Sequence, residues 1–447
     1  MVQIVPTFSF HTFGCKLNFA ESSHLAGKFK TAGYLQNQFE QVSDIYVLNT
    51  CAVTENAAKE CERYIRSIRK RAPDAIVAII GCQAQLKPET LRALEGVDLV
   101  LSAKEKFNVL DHIKNLKNAI SGPIDCGIQL PYNFEPADSQ CERTRAFLKV
   151  QDGCDYSCSF CTIPLARGRS RSDTIENVLL RARNLAAKGI KEIVLTGVNT
   201  GDFGLTLDSA QNQIRNQTFL QLLMKLDKLE EAVRFRISSV EPNLLHPEII
   251  EFIAESKRFA PHFHIPLQSG SNAILAKMRR RYKRELYAER VSHIVSKIPH
   301  AGIGMDVISG FPGETESHFS ESLKFIHSLP ISYIHAFTYS ERPDTDAILM
   351  EGKIPQEVRK ERTQILRSVS DQKQAEFLKK NEGEIRTVIF ESGDDKGNIS
   401  GYTENYIKIT LPFSEKWVNR EIQVRMGGNT RKAEICATQD QLSSILL

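Results

Sequence analysis

Apolar residues in the first third of the chain alternate between short β-branched runs and stretches with helical spacing. Strands are predicted at 7–13, 44–49 and 75–80, and helices at 18–31, 54–71 and 88–95. Strands that alternate with helices indicate a parallel sheet with helices on its faces. We therefore predict a Rossmann-like parallel α/β domain over residues 1–135.

The middle of the chain repeats the strand–helix pattern six times, after a linker predicted at 122–144. Strands are predicted at 146–152, 192–197, 233–239, 262–268, 302–309 and 332–339. Six such units predict a partial, open (βα)6 barrel over residues 142–375. Within it, Asp173 is predicted as the N-cap of a helix that ends at Gly189.

The hydrophobic period changes near the C-terminal end. A long charged helix at 355–381 has a sparse apolar face, which indicates a connector. The runs IRTVIFE, NYIKITL, REIQVRM and KAEICAT then predict short strands separated by polar turns. A small all-β barrel over residues 380–441 accounts for them.

Composition narrows the class of protein only slightly. A hydrophobic content of 41% and a charged content of 25% are ordinary for a globular protein, and a net charge of +4 does not by itself indicate nucleic acid. Two basic runs, RGRSRS (167–172) and MRRRYKR (278–284), could bind phosphate groups, or could equally lie on a solvated surface. Without a signal peptide or an apolar stretch of spanning length, we expect a cytoplasmic protein with no membrane partner.

Ten cysteines in that reducing compartment indicate metal or catalytic ligands rather than disulfides. Cys154, Cys158 and Cys161 lie on one short loop after the first barrel strand. Three thiolates ligate only three irons of a four-iron cluster, which leaves one iron open for an exogenous ligand. A zinc site or a structural cysteine loop is the alternative, although the spacing fits zinc knuckles poorly.

A second set of cysteines follows the strands of the N-terminal sheet. Cys15, Cys51 and Cys82 each come just after a predicted strand. Because the carboxyl ends of parallel strands line one crevice, these three residues are expected to converge on a second three-thiolate site. Free cysteines that merely fill the core are the alternative.

The Cys-x3-Cys-x2-Cys spacing, with Phe160 before the last cysteine, resembles the radical S-adenosylmethionine (SAM) superfamily. The resemblance implies that the open iron of a 4Fe-4S cluster binds the amino and carboxylate groups of SAM. It also implies that an electron from the cluster cleaves SAM to a 5′-deoxyadenosyl radical.

The sequence segments TFGCKLN, NTCAVT and GCQAQ resemble motifs of the N-terminal domain of methylthiotransferases. This resemblance implies that Cys15, Cys51 and Cys82 hold an auxiliary 4Fe-4S cluster that handles sulfur. GYTENY resembles the TRAM domain, a small RNA-binding barrel. Three further cysteines match no such motif and are expected to be structural: Cys61, Cys126 and Cys141.

The superfamily resemblance also assigns SAM contacts at the ends of the barrel strands. Gly197 would let the cofactor approach the backbone. Asn199, Glu241 and Gln268 would bind the ribose and methionyl groups, and Phe160 would pack against the cluster or the adenine.

The words DGCDYSCSFCTIPLARGRSRS, RISSVEP and LQSGSNAILAKMRRRY resemble the subfamily that methylthiolates N6-threonylcarbamoyladenosine at tRNA position 37. That activity implies tRNA, a sulfur source and a low-potential electron donor as partners. An anionic threonylcarbamoyl group suits a site with arginines, which could equally hold RNA phosphates. The predicted substrate-binding arginines are Arg167, Arg169, Arg171 and Arg342.

Three alternatives stay open at this level. The substrate could be isopentenyladenosine in tRNA or an aspartate in a ribosomal protein, or the chain could be a non-catalytic iron–sulfur RNA-binding sensor. YSERPDT resembles a family signature in which many relatives have glycine at the position of Asp344, and this departure leaves the turn there in doubt.

Overall fold

The N-terminal part of the chain forms a five-stranded parallel sheet. The structure, a computed structural model, describes residues 5–52, 55–117, 129–139, 144–208, 212–394, 396–427 and 433–436. The N-terminal elements are β1 (Thr7–Thr12), α1 (Lys16–Thr31), β2 (Leu35–Gln36), β3 (Ile45–Thr50), α2 (Glu55–Arg71), β4 (Ile76–Gly81), α3 (Cys82–Leu86), α4 (Pro88–Arg92), β5 (Leu99–Val100) and α5 (Val109–Lys117).

The strand order of this sheet is β2-β1-β3-β4-β5, and all of its neighbours are parallel. The predicted parallel α/β arrangement is therefore confirmed. Strand β3 is buried along its whole length because helices cover both faces of the sheet. The sequence prediction missed β2 and β5, which are only two residues long, and helix α5.

The central part follows as a series of parallel strands with helices between them. Its elements are β6 (Arg145–Lys149), β7 (Gln151–Asp152), α6 (Ile163–Arg167), β8 (Arg171–Ser172), α7 (Ile175–Ala187), β9 (Glu192–Thr196), β10 (Leu205–Leu207), β11 (Gln213–Arg215), α8 (Phe219–Leu226), β12 (Arg234–Ile237), α9 (Pro247–Glu255), β13 (His262–His264), α10 (Asn272–Lys277), α11 (Arg284–Lys297), β14 (Gly302–Ser309), α12 (Glu316–Ser328), β15 (Tyr333–Thr338) and α13 (Gln356–Lys380).

Six of these strands form the predicted open barrel. Strands β6, β9 and β12 make one parallel sheet, and β13, β14 and β15 make another. Single bridges, Phe235 to Phe259 and Ser239 to His264, join the two halves. The outward faces of the strands and the surrounding helices form the largest hydrophobic core of the molecule.

Three local predictions in this part were wrong. The N-cap of α7 is Thr174, whose hydroxyl accepts a hydrogen bond from the Asn177 amide, whereas the Asp173 carboxylate accepts one from the Thr174 amide. The first barrel strand breaks after Lys149, and β7 pairs with β8 in a separate antiparallel ribbon. Helix α13 is not a bare connector, because Leu366 and Val369 are buried against β15.

The C-terminal part is a curled antiparallel sheet of order β18-β17-β16-β19-β20. Its strands are β16 (Ile385–Gly393), β17 (Asn398–Thr403), β18 (Lys408–Pro412), β19 (Glu421–Met426) and β20 (Ala433–Ile435). Its edge strands β18 and β20 approach each other, and it has its own core. The predicted all-β unit is confirmed, although strand β17 was missed.

This sheet docks on the amino end of the barrel. The Tyr406 ring stacks on His262 of β13 with 4.2 Å between ring centroids. Arg236 of β12 is buried and donates to the carbonyls of Thr403 and Glu404. The opposite, carboxyl end of the barrel stays available for chemistry.

A buried network of charges joins the N-terminal sheet to the barrel. Glu21 of α1 is fully buried and pairs with Lys106 (2.7 Å), Lys149 (3.0 Å) and Arg167 (3.1 Å). Asp152 pairs with Lys149 and Arg167 as well. Because these groups come from both domains, the network fixes how the domains face each other.

No helix in the described ranges is both long enough and apolar enough to cross a membrane. The predicted linker at 122–144 lies largely outside the described residues, as do Cys126 and Cys141. Cys61 is fully buried in the core between α2 and the N-terminal sheet, which matches a structural role.

Candidate functional site

The loop that follows β7 gathers Cys154, Cys158 and Cys161. Each sulfur accepts a hydrogen bond, from the Tyr156 amide to Cys154 (3.4 Å), from the Ile163 amide to Cys161 (3.5 Å) and from Arg280 to Cys158 (3.1 Å). Such donors stabilise thiolates.

Burial nevertheless raises the pKa of all three thiols, that of Cys161 to about 11. The neighbouring thiols add to the increase at Cys154 and Cys161. Three converging thiols in this environment ionise when a cationic centre binds between them, as iron does. The donor set therefore fits a cluster.

The second cysteine set also converges. Cys15 precedes α1, Cys51 follows β3, and Cys82 begins α3 directly after β4. A side chain on Gly14 would meet the Cys51 sulfur at 2.6 Å, so glycine is needed where the two loops touch. Burial raises the pKa of the Cys82 thiol, and among the charged neighbours Arg167 lowers it while Cys15 raises it further.

A pocket of about 90 Å³ lies between the domains, lined by Cys51 of the second set and by Thr162, the residue that follows Cys161 of the first set. Helix α3 packs against α6, which starts two residues after Cys161. The pocket is lined from the N-terminal domain by Cys51, Ala52, Gln83, Leu86 and Lys87, and from the barrel side by Thr162, Glu341, Arg342, Pro343 and Asp344. The pocket therefore lies between Cys51 and the end of the loop that carries Cys154, Cys158 and Cys161.

The four predicted substrate arginines do not share one role. Arg167 is buried and donates to Asn18, Glu21 and Asp152, and Arg171 is buried and donates to Asp152. Neither side chain is available to a substrate phosphate or carboxylate, so the prediction for these two is corrected.

The other two arginines lie closer to solvent. The Arg169 side chain is 52% exposed and pairs with Asp155 at 3.2 Å. Arg342 is half-buried and lies on the pocket wall. Of the four, Arg342 is the one that lines this pocket together with Cys51 and Thr162.

Two of the residues predicted to contact SAM, Gly197 and Asn199, follow β9, the strand that pairs with β6. A side chain on Gly197 would meet the Gln151 amide oxygen at 2.8 Å. Asn199 is buried and donates to Asp202 at 2.8 Å, and burial raises the pKa of the Asp202 carboxyl to about 6. Within the described residues, the buried Asn199 Oδ1 has no hydrogen-bond partner, which leaves an acceptor for a bound molecule.

Two further predicted contacts are Gln268, which follows β13, and Phe160, which lies on the cysteine loop itself. Gln268 has a φ of +68°, a left-handed conformation that is costly for a non-glycine residue and that accumulates at functional sites. Phe160 packs edge-on against Phe311, with 6.3 Å between centroids. Its ring therefore supports the cysteine loop from the β14 side.

Arg280 is a site residue that the sequence prediction missed. It lies in the basic run MRRRYKR, but its side chain is 4% exposed, donates to the Cys158 sulfur and pairs with Glu241. Burial raises the pKa of the Glu241 carboxyl, and Arg280 opposes that increase. Arg279 pairs with the exposed Asp346, and Arg281 lies over the Tyr156 ring. Nothing in the sequence of this basic run indicates which of its arginines is buried.

The doubt over Asp344 is resolved by its backbone. Its φ is +64°, in the left-handed region that glycine adopts most readily and that aspartate tolerates better than most residues. The turn expected from the YSERPDT signature therefore forms with aspartate in place of glycine.

An open parallel barrel with three cysteines on the loop after its first strand defines a radical SAM protein. The model of the Radical SAM superfamily matches residues 148–326, and that of the Uncharacterized protein family UPF0004 matches residues 7–102. The chain is 37% identical over 428 residues to the threonylcarbamoyladenosine tRNA methylthiotransferase MtaB of Bacillus subtilis, covering 94% of this chain and 93% of that protein. The chain belongs to the radical SAM tRNA methylthiotransferase family.

Two other similarities complete the comparison. The tRNA-2-methylthio-N(6)-dimethylallyladenosine synthase of Lachnoclostridium phytofermentans is 30% identical over 94% of this chain and 92% of its own length. Among solved structures, the radical S-adenosylmethionine methyltransferase TsrM from Kitasatospora setae matches with a TM-score of 0.54 at 14% identity, over 74% of this chain and 72% of that chain. The second similarity concerns the fold alone.

Proposed function

We propose that this chain is a tRNA methylthiotransferase that converts N6-threonylcarbamoyladenosine at position 37 to its 2-methylthio derivative. The observation that carries the proposal is the pocket between the domains, lined by Cys51 of one cysteine set and by Thr162, the residue after Cys161 of the other set. The identity to a relative with that activity, over nearly the full length of both chains, supports the same substrate.

Two 4Fe-4S clusters and SAM are the cofactors. We assign Cys154, Cys158 and Cys161 to the SAM-binding cluster, and Cys15, Cys51 and Cys82 to the auxiliary cluster. When bound, these groups supply one-electron cleavage of SAM and the sulfur and methyl group that enter the product.

The protein's own side chains orient and enclose these groups. Asn199 and Gln268 would offer polar atoms to SAM, and Glu241 is held beside Cys158 by Arg280, which bonds both residues. Gly197 leaves room for the Gln151 side chain, whose amide oxygen accepts a hydrogen bond from the Asn199 amide. Arg342 on the pocket wall places a positive charge where the anionic threonylcarbamoyl group would enter, which an isopentenyl group would not need.

The domain roles follow from these assignments. Residues 1–135 would carry the auxiliary cluster, residues 142–375 the SAM chemistry and residues 380–441 a TRAM barrel. The reaction also needs a sulfur source, because a C–H bond is replaced by a C–S bond. It needs a low-potential electron donor as well, because the cleavage of SAM consumes an electron. A tRNA substrate and six reduced cysteine ligands support a cytoplasmic location.

Nucleoside mass spectrometry on bulk tRNA from a strain lacking this gene tests the proposal. We expect the 2-methylthio derivative of N6-threonylcarbamoyladenosine to disappear and its unmodified precursor to accumulate. If the 2-methylthio derivative of isopentenyladenosine disappears instead, isopentenyladenosine is the substrate. Unchanged levels of both methylthiolated nucleosides would refute a tRNA substrate. Complementation with the intact gene is the control.

Arg280→Gln is expected to lower the reduction potential of the cluster held by Cys154, Cys158 and Cys161. A charged donor to a ligating sulfur favours the reduced cluster, because it offsets the added negative charge. The measurement is a redox titration of the reconstituted protein followed by electron paramagnetic resonance. Arg279→Gln, which removes the neighbouring exposed arginine, is the matched control and is expected to leave the potential unchanged.

Equal potentials in the Arg280→Gln and Arg279→Gln variants would contradict this role for the hydrogen bond to Cys158.

A further inference from the structure

A second group of metal-ligating side chains lies inside the barrel, apart from both cysteine sets. His264 of β13, Asp306 of β14 and His335 of β15 come from three neighbouring strands. The Asp306 carboxylate lies 2.9 Å from His264 Nε2 and 3.2 Å from His335 Nδ1. All three ligand atoms lie within 4.8 Å of one another.

The register of the strands explains why these side chains meet. Asp306 is directly opposite His335, and His264 is opposite Gly304, two positions before Asp306 on the same face. Gly304 has no side chain, so the Tyr333 ring lies across β14 at this point. The Tyr333 hydroxyl thereby reaches His264 Nδ1 at 3.3 Å.

We propose that His264, Asp306 and His335 bind one divalent transition-metal ion. Two ligand atoms bound to the same ion at about 2.0–2.1 Å lie roughly 3.0–3.4 Å apart, close to the two separations observed here. Two histidines and one carboxylate are a common ligand set for such ions, with positions left open for other ligands.

The surroundings of the trio fit this assignment. A ligating histidine normally has its second ring nitrogen bonded to an outer group, as His264 has with Tyr333. The side chains of His264 and Asp306 are only 10% and 21% exposed, whereas that of His335 is 54% exposed. The ligands are therefore held on the barrel wall, and the ion would keep an open side beside the exposed His335.

That open side gives the ion a role that rests on the proposed function. The Asp306 carbonyl accepts hydrogen bonds from the amides of Leu267 and Gln268, so the trio adjoins the segment that carries Gln268, one of the proposed SAM contacts. A carboxylate is a ready ligand for the open positions of such an ion. The threonyl carboxylate of the modified adenosine is of this chemical class.

The test uses the full-length protein with both clusters reconstituted and Zn²⁺ as the probe. We expect the wild-type protein to bind one zinc ion per chain in addition to the iron of its clusters. We expect His335→Ala and Asp306→Asn each to weaken the binding of that zinc ion at least tenfold. X-ray absorption at the zinc edge should show nitrogen and oxygen at about 2.0–2.1 Å rather than sulfur at about 2.3 Å. His293→Ala is the matched control, since His293 lies 3.6 Å from Glu251 in a surface pair.

A sulfur-dominated shell, or wild-type zinc affinity in both variants, would overturn the metal site. His335 is exposed, so its variant is expected to fold even if Asp306→Asn does not. For the role in recognition, zinc should raise the affinity for N6-threonylcarbamoyladenosine at least tenfold and leave that for isopentenyladenosine unchanged. Zinc binding without this difference would refute the role in recognition and leave the metal site and the proposed function standing.

Discussion

Cys158→Ala is expected to abolish SAM cleavage, whereas Cys51→Ala is expected to retain cleavage and lose methylthiolation. Removing one of three thiolates from the loop after β7 leaves its cluster without a full ligand set. Cys51 belongs to the other set and lines the pocket between the domains from the N-terminal side. The measurement is 5′-deoxyadenosine and methylthiolated nucleoside formed by the reduced, reconstituted proteins.

Cys61→Ala is the control for loss of a buried cysteine. Cys61 is as buried as a core residue but belongs to neither site, so both products should form as in the wild type. Methylthiolation that persists in the Cys51 variant would rule out the two-cluster assignment.

Glu21→Gln is expected to destabilise the protein by about 3–5 kcal/mol, because it leaves buried cations without their shared partner. Glu21 pairs with Lys106, Lys149 and Arg167, and its side chain is completely buried. For domains of this size the midpoint of thermal unfolding should fall by on the order of 10 °C. Differential scanning calorimetry of the full chain measures this change.

Glu89→Gln removes one partner of the surface pair between Glu89 and Arg92 and serves as the control. It should change the free energy of unfolding by no more than about 0.5 kcal/mol. Equal midpoints for the two variants would show that the buried network does not stabilise the domain arrangement.

The same network predicts a dependence of stability on pH. Burial alone would raise the pKa of Glu21, but its three cationic partners together hold it well below the usual range. The stabilisation is therefore complete above the unfolded-state pKa, about 4.3, and is lost as the pH falls below that value. Stability of the wild type should fall more steeply below about pH 4 than that of Glu21→Gln, as calorimetry across that range would show.

The strands and most helices could be predicted because their periodicities are local. Buried parallel strands such as β3 and β4 are continuous apolar runs, and amphipathic helices repeat every three to four residues. Strands β2 and β5 were missed because a strand of two residues is too short to show an alternation of hydrophobic and polar positions. The N-cap of α7 was misplaced by one residue because Asp173 and Thr174 are both good caps.

The cysteines of both sets could be singled out because cluster chemistry needs one residue type at fixed places. Cys154, Cys158 and Cys161 are close in sequence, so their spacing alone indicates a shared centre. Cys15 and Cys82 are far apart in sequence, and they were linked because the ends of parallel strands meet at one edge.

The sequence by itself therefore determined the layers of the fold, the cysteine sets and the family of the chain. The tertiary structure alone decided which charged side chains face inward. Arg167 and Arg280 lie in basic runs that resemble a surface, yet both are buried, and His264 and His335 are 71 residues apart but share Asp306. The physical reason is that a charge becomes buried only where a partner from a distant segment compensates its desolvation, and that pairing exists only in the folded chain.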